Sequence, residues 1–105
     1  MRIMTTYKIK VEESAESDLM NLFGFLISVM SREGANRYID MIMVEVLSLS
    51  ILADIYPPSH YADIQRYHPC ARRMNSHNKR WTYIFHIENK TVVIDRVLPS
   101  KLIKK

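Results

Sequence analysis

The stretch Arg80–Leu98, RWTYIFHIENKTVVIDRVL, decides the fold. In it Trp81, Tyr83, Phe85 and Ile87 alternate with Arg80, Thr82, Ile84 and His86, the two-residue period of a strand with one buried face. Glu88-Asn89-Lys90 supplies a polar turn, and Thr91–Leu98 is β-branched and apolar, so the two runs predict a β-hairpin. Upstream, Ala71–Asn75 predicts a shorter strand joined to the hairpin by the turn Ser76-His77-Asn78-Lys79. The segment Ser59–Pro69 is irregular and aromatic.

Toward the N-terminus the period changes. Thr5–Val11 places Tyr7, Ile9 and Val11 on one face and Thr6, Lys8 and Lys10 on the other, a half-buried first strand. Ser14 is the expected N-cap of a helix, with Glu16 and Asp18 complementing its dipole. Ala15, Leu19, Leu22, Phe23, Leu26 and Met30 then recur at helical spacing. After an expected tight connection over Ser31–Gly34, a second helix carries Ala35, Tyr38, Ile39, Ile42, Val46, Leu49 and Ala53 until Pro57-Pro58 stops it. A surplus apolar stripe (Met20, Phe25, Val29, Met41, Val44, Leu47, Ile51) is either a partner surface or buried within the helical hairpin. The expected fold class is α+β in the order β-α-α-β-β-β, a helical hairpin packed on the Trp81, Tyr83 and Phe85 face of a small, mainly antiparallel sheet. The opposite face is expected to carry Arg80, Thr82 and His86.

Composition bounds the function. The 105 residues predict a single domain over 1–105, and 48% hydrophobic residues exclude disorder as the main description. Two glycines are too few for a glycine-rich phosphate loop, so a nucleotide-cofactor enzyme is not expected. Cys70 is the only cysteine, which excludes an internal disulfide and paired-cysteine zinc, fits a reducing cytoplasm, and predicts a buried or spectator thiol. His60, His68, His77 and His86 lie eight or nine residues apart, a spacing that predicts no metal site. Neither a signal sequence nor a membrane span is indicated.

The formal net charge of +4 conceals a division. Residues 1–63 hold five Lys or Arg and nine Asp or Glu, a balance of −4; residues 64–105 hold ten against two, a balance of +8. The C-terminal part therefore suits an anionic partner such as nucleic acid or an acidic protein segment.

Four segments carry a family resemblance: Tyr7–Leu19, the helical hairpin, Arg80–Ile87 and Val92–Leu98. In order and spacing they resemble the RelE/ParE toxin superfamily of bacterial type II toxin–antitoxin modules, which includes plasmid stabilisation proteins. The resemblance implies a cytoplasmic toxin without a cofactor, neutralised by a cognate antitoxin, and as a partner surface the surplus apolar stripe would serve that antitoxin or a second copy of the chain. It also implies one of two activities: metal-independent, ribosome-dependent mRNA cleavage as in RelE-like members, or poisoning of DNA gyrase as in ParE-like members.

Cleavage through the 2′-OH needs proton-transfer groups and cations around the phosphorane. The candidate catalytic set is Arg73, Arg80, His86 and Arg96, with Arg72, Lys79, His77 and Lys101 as nucleic-acid or target contacts. His86 is either catalytic or a plain surface histidine. RelE-like members carry Tyr-Arg at the start of the third strand, where this chain has Trp81-Thr82, and the tail from Ser100 has neither histidine nor aromatic residue. Both departures weaken the ribonuclease reading. A different class, a non-enzymatic nucleic-acid-binding module, would use Tyr67, Trp81 or Tyr83 as stacking platforms.

Overall fold

In the computed structural model, which describes residues 6–103, the chain runs β1 (Lys8–Val11), α1 (Glu13–Val29), α2 (Arg32–Leu52), a 3-10 turn (Ala53–Ile55), α3 (Ala62–Gln65), β2 (Arg72–Asn75), β3 (Trp81–Glu88), β4 (Thr91–Pro99) and a second 3-10 turn (Ser100–Leu102). The expected β-α-α-β-β-β order is present. The four strands form one sheet in the order β1-β4-β3-β2. β1 lies parallel to β4, with Ile9 beside Val92, and the other pairings are antiparallel.

Helices α1 and α2 cover one face of the sheet. Ala15, Leu22 and Leu26 of α1 and Ala35, Ile42, Val46 and Leu49 of α2 are buried together with Tyr83, Phe85, Val92, Ile94 and Val97. This is the face expected to receive the hairpin, and burial of these apolar side chains is the main favourable contribution to folding.

Local boundaries depart from expectation where the sheet dictates them. Thr5 lies outside the described residues, and β1 begins at Lys8. Ser14 is not the N-cap of α1: Glu12 holds that position without a side-chain cap, and its N–H donates to Ile94 O at 3.0 Å, so the helix starts directly where β1 leaves the sheet. Ser31–Gly34 is not a loop. Ser31 caps α2 by accepting from Gly34 N at 3.0 Å, so Gly34 lies in the first turn. The segment expected to be wholly irregular contains α3, and β2 starts at Arg72 rather than Ala71.

The other face of the sheet corrects the expectation most. It is covered at its centre: Ile64 of α3, Ala71, Ile84 and Leu98 form a second buried cluster against which Tyr67 and Ile103 pack. Thr82 and His86 are therefore buried rather than displayed. A bulge makes this possible. Ile84 pairs with Arg96 and Phe85 with Ile94, which leaves Asp95 as an extra residue in β4. Ile94 and Val97, three apart, can then both join the helix-covered core.

Candidate functional site

The eight candidate residues separate into three environments. In the first, the bulge collects buried charge. His86 is 7% exposed, its Nδ1 lies 2.7 Å from Asp95 Oδ2, and its ring stacks on His68 with centroids 3.8 Å apart and planes at 2°. Its Nε2 lies 3.4 Å from Glu88 Oε2, and His68 Nδ1 in turn accepts the Cys70 N–H. Burial raises the Asp95 carboxyl above its ordinary range, opposed by the His86 ring beside it. Arg96 is held by both oxygens of Asp18 on α1, at 2.7 and 2.9 Å, and its guanidinium lies over the Tyr67 ring. Asp18 also accepts the Val97 N–H, so one carboxylate ties α1 to the bulge and raises the Arg96 pKa.

The second environment is the edge strand β2. Arg72 turns toward the helices and donates to Tyr56 O at 2.8 Å, while its buried Nε has no hydrogen-bond partner. It closes the end of the helical hairpin. Arg73, on the other face, lies 5.0 Å from the centre of the Tyr61 ring, beside Pro57, Pro58 and His60.

The third environment is open. Lys79 and Arg80 from the β2–β3 turn, Trp81 and Pro99 from the facing strand ends, and Ser100 and Lys101 beyond β4 line a cleft of about 340 Å³. The Lys79, Arg80 and Lys101 side chains form no ion pair among the described residues. Their backbone is fixed, however. Ser100 N donates to Arg80 O at 2.9 Å, and Thr82 Oγ1 bonds both Asn75 and Ser100, which brings the C-terminal turn beside the β2–β3 turn. The turn itself is pinned to α2: Glu45 accepts the Tyr83 hydroxyl and the His77 N–H at 2.8 Å, and Tyr38 accepts from Trp81 Nε1 at 2.8 Å and Asn78 at 3.2 Å. Burial and Glu45 together raise the Tyr83 pKa, so its hydroxyl remains a donor.

Lys79 has φ of 64°, in the left-handed region that favours glycine. A charged side chain stands there at a conformational cost. Beyond Trp81 and Pro99 the cleft continues into an apolar groove of about 240 Å³ lined by Leu22, Phe25 and Val97 of α1 and β4, with Asp18 and Asn21 at its side. The resulting surface is amphipathic, apolar near α1 and basic near the turn, and suits an anion with a flat or apolar body.

His77 shares the turn with Lys79 but does not line the cleft. His86, expected on an exposed face, is buried away from it. Tyr83 is buried in the core and cannot stack a base; Tyr67 packs on the second cluster, and of the three only Trp81 borders the cleft. Sequence reasoning missed Glu45, Tyr38 and Asp18 as the groups that hold these regions, and no local spacing marks them. Cys70 is exposed rather than buried. Among the described residues no cluster of three or more His, Cys, Asp or Glu side chains could hold a metal, and no helix is long and apolar enough to cross a membrane.

No family model matches the sequence, and no curated protein matches it. Among solved structures, a chain of one described as the chromosomal ParDE toxin–antitoxin system from P. aeruginosa superposes with a TM-score of 0.74 at 18% identity. The match covers 90% of this chain and 97% of that one. The fold is thus RelE/ParE-like.

Proposed function

We propose that the chain is the toxin of a type II toxin–antitoxin module, restrained by a cognate antitoxin, and that it acts in the ParE-like manner, on DNA gyrase, rather than by cutting mRNA. The observation that carries the toxin reading is the correspondence in fold over nearly the whole of both chains. The chemistry of the open cleft supports the choice of target. Its lining offers Lys79, Arg80 and Lys101 but no imidazole or carboxylate to move a proton, and His86 is held by Asp95 and His68 inside the fold. Cations without an imidazole or carboxylate beside them suit the binding of an acidic target better than the cleavage of a phosphodiester, for which a lysine would have to serve as the proton-transfer group. A purely nucleic-acid-binding module is less well supported, since of its three aromatic platforms only Trp81 borders the cleft.

The test is inducible expression of the chain with and without the neighbouring reading frame. Growth arrest without that frame, rescue with it, and DNA breaks that require gyrase are expected. Unimpaired growth would overturn the toxin reading, whereas new mRNA 5′ ends on programmed ribosomes without DNA breaks would transfer the target to translation.

A further inference from the structure

Helix α3 has four residues, too few to be stable by their own hydrogen bonds, so its place depends on what fastens the surrounding segment to the sheet. Ile64 is fully buried in one cluster with Ile84 and Leu98. On either side of it the fastenings are rings. The Arg73 guanidinium lies 5.0 Å from the centre of the Tyr61 ring, the Arg96 guanidinium 5.6 Å from that of Tyr67, and the His68 ring stacks on His86 at 3.8 Å. Ser59 N donates to Ala71 O at 2.8 Å, which brings the two ends of the segment together, so that it forms a compact loop lying on the sheet.

Of the three ring contacts, only the histidine stack changes charge near neutral pH. In the closed loop His68 Nδ1 accepts the Cys70 N–H at 3.0 Å, so that nitrogen holds a lone pair and the ring is neutral. A further proton must take the same nitrogen, which sets a donor against a donor. The stacking partner adds to the cost. His86 stands between Asp95 at 2.7 Å and Glu88 at 3.4 Å, with the charge of Glu12 at the end of β1 also felt at Asp95, so a proton accepted by the closed stack is held on His86. A charged His68 would then face a charged ring, with Arg66 and Arg96 both at the neighbouring Tyr67. Lifted from the sheet, His68 meets neither obstacle. The open loop therefore binds one more proton than the closed one, and acid favours opening. Asp95 acts in the opposite sense, because burial raises its carboxyl and exposure would release its proton, but that contribution does not involve the His68 ring. We propose that Ser59–Ala71 is an acid-released strap, held on the sheet by the His68–His86 stack and lifted when His68 takes up a proton. Leu98, which shares the cluster of Ile64, also lines the apolar groove beside the basic cleft, so the strap supports one wall of that surface from behind. The inference does not depend on the target assigned above.

Hydrogen exchange of the purified full chain tests it, read at the Cys70 and Ala71 amides, which donate to His68 Nδ1 and His68 O. Corrected for the intrinsic rate, their protection should fall about ten-fold between about pH 7.5 and about pH 5.5, while the amides of α2 stay protected. His68→Phe keeps a flat ring against His86 but takes up no proton, and its Ala71 protection should stay level over the same interval. Level protection in the parent chain would overturn the proposal, as would a fall shared by α2 or one that persists in His68→Phe. Nuclear magnetic resonance of the parent chain gives a check without substitution: the His68 ring should gain its charge only as Ala71 loses protection. A ring that charges while Ala71 stays protected would also overturn it.

Discussion

At the β4 bulge Arg96 is gripped by both oxygens of Asp18 and His86 is clasped between Asp95 and His68, whereas at the β2–β3 turn Lys79, Arg80 and Lys101 meet no carboxylate among the described residues. Both regions draw on the same basic half of the sequence. In the bulge the positive groups are consumed by the fold; at the turn the fold spends hydrogen bonds from Glu45, Tyr38, Thr82 and Ser100 to present them to solvent. Positive charge near a sheet therefore signals a partner only after its internal counter-charges have been subtracted. The excess of +8 over residues 64–105 overstates what is available for binding.

The division predicts that the two regions respond oppositely to mutation. The largest effect is expected from Asp18→Ala, which leaves Arg96 half-buried without its carboxylate and strips the Val97 N–H of its acceptor. Breaking a pair of this kind should cost about 3 kcal/mol, read as a lower denaturant midpoint at unchanged m-value. A cost below about 0.5 kcal/mol would show that this ion pair behaves as a surface pair and would break the comparison.

Next in size is Tyr83→Phe, which removes the buried hydroxyl that anchors Glu45 and, through it, the turn. A loss of about 1–2 kcal/mol is expected near neutral pH. Because burial raises the hydroxyl pKa in the folded chain, the unfolded chain releases this proton first as pH climbs past about 10. The contribution is thus fully present below that pH, and stability falls above it by up to about 1.4 kcal/mol per pH unit. Tyr83→Phe lacks this slope, so the gap between it and the parent chain should narrow in alkali. Parallel denaturation curves on both sides of about pH 10 measure the difference.

How much of this was legible follows from where the contacts lie along the chain. The alternation in Arg80–Ile87 and the helical spacing in Ala15–Met30 and Ala35–Ala53 fixed the elements and their buried faces, because each pattern is local. The bulge was hidden: Val92, Val93 and Ile94 are apolar on both sides of the strand, so no break in alternation marks Asp95 as the extra residue. The cover over His86 was hidden for a related reason. It is the His68 ring, from the segment that also seats Ile64, Tyr67 and Ala71 on this side of the sheet, residues too few and too irregularly spaced to announce a buried face. The candidate cations were identifiable by type, but their division depends on Asp18 and Glu45, which reach Arg96 and Tyr83 across 78 and 38 residues of sequence. No window of sequence contains both members of either pair.

The smallest effect in size discriminates most, because its sign separates the regions. At Lys79 the backbone sits in the left-handed region, so Lys79→Gly relieves a strain of about 1–2 kcal/mol, offset by the greater freedom glycine has in the unfolded chain, about 0.5–1 kcal/mol. The net change should be a gain of up to about 1 kcal/mol in stability. If the lysine serves only the turn, function should rise or stay level with stability. If the open cleft engages an acidic target, the same substitution should make the chain harder to unfold and less toxic at equal expression. Denaturant titration and growth after induction, run on one variant, give the two readings. A variant more stable and equally toxic would remove Lys79 from the target surface and leave Arg80 and Lys101 to carry it.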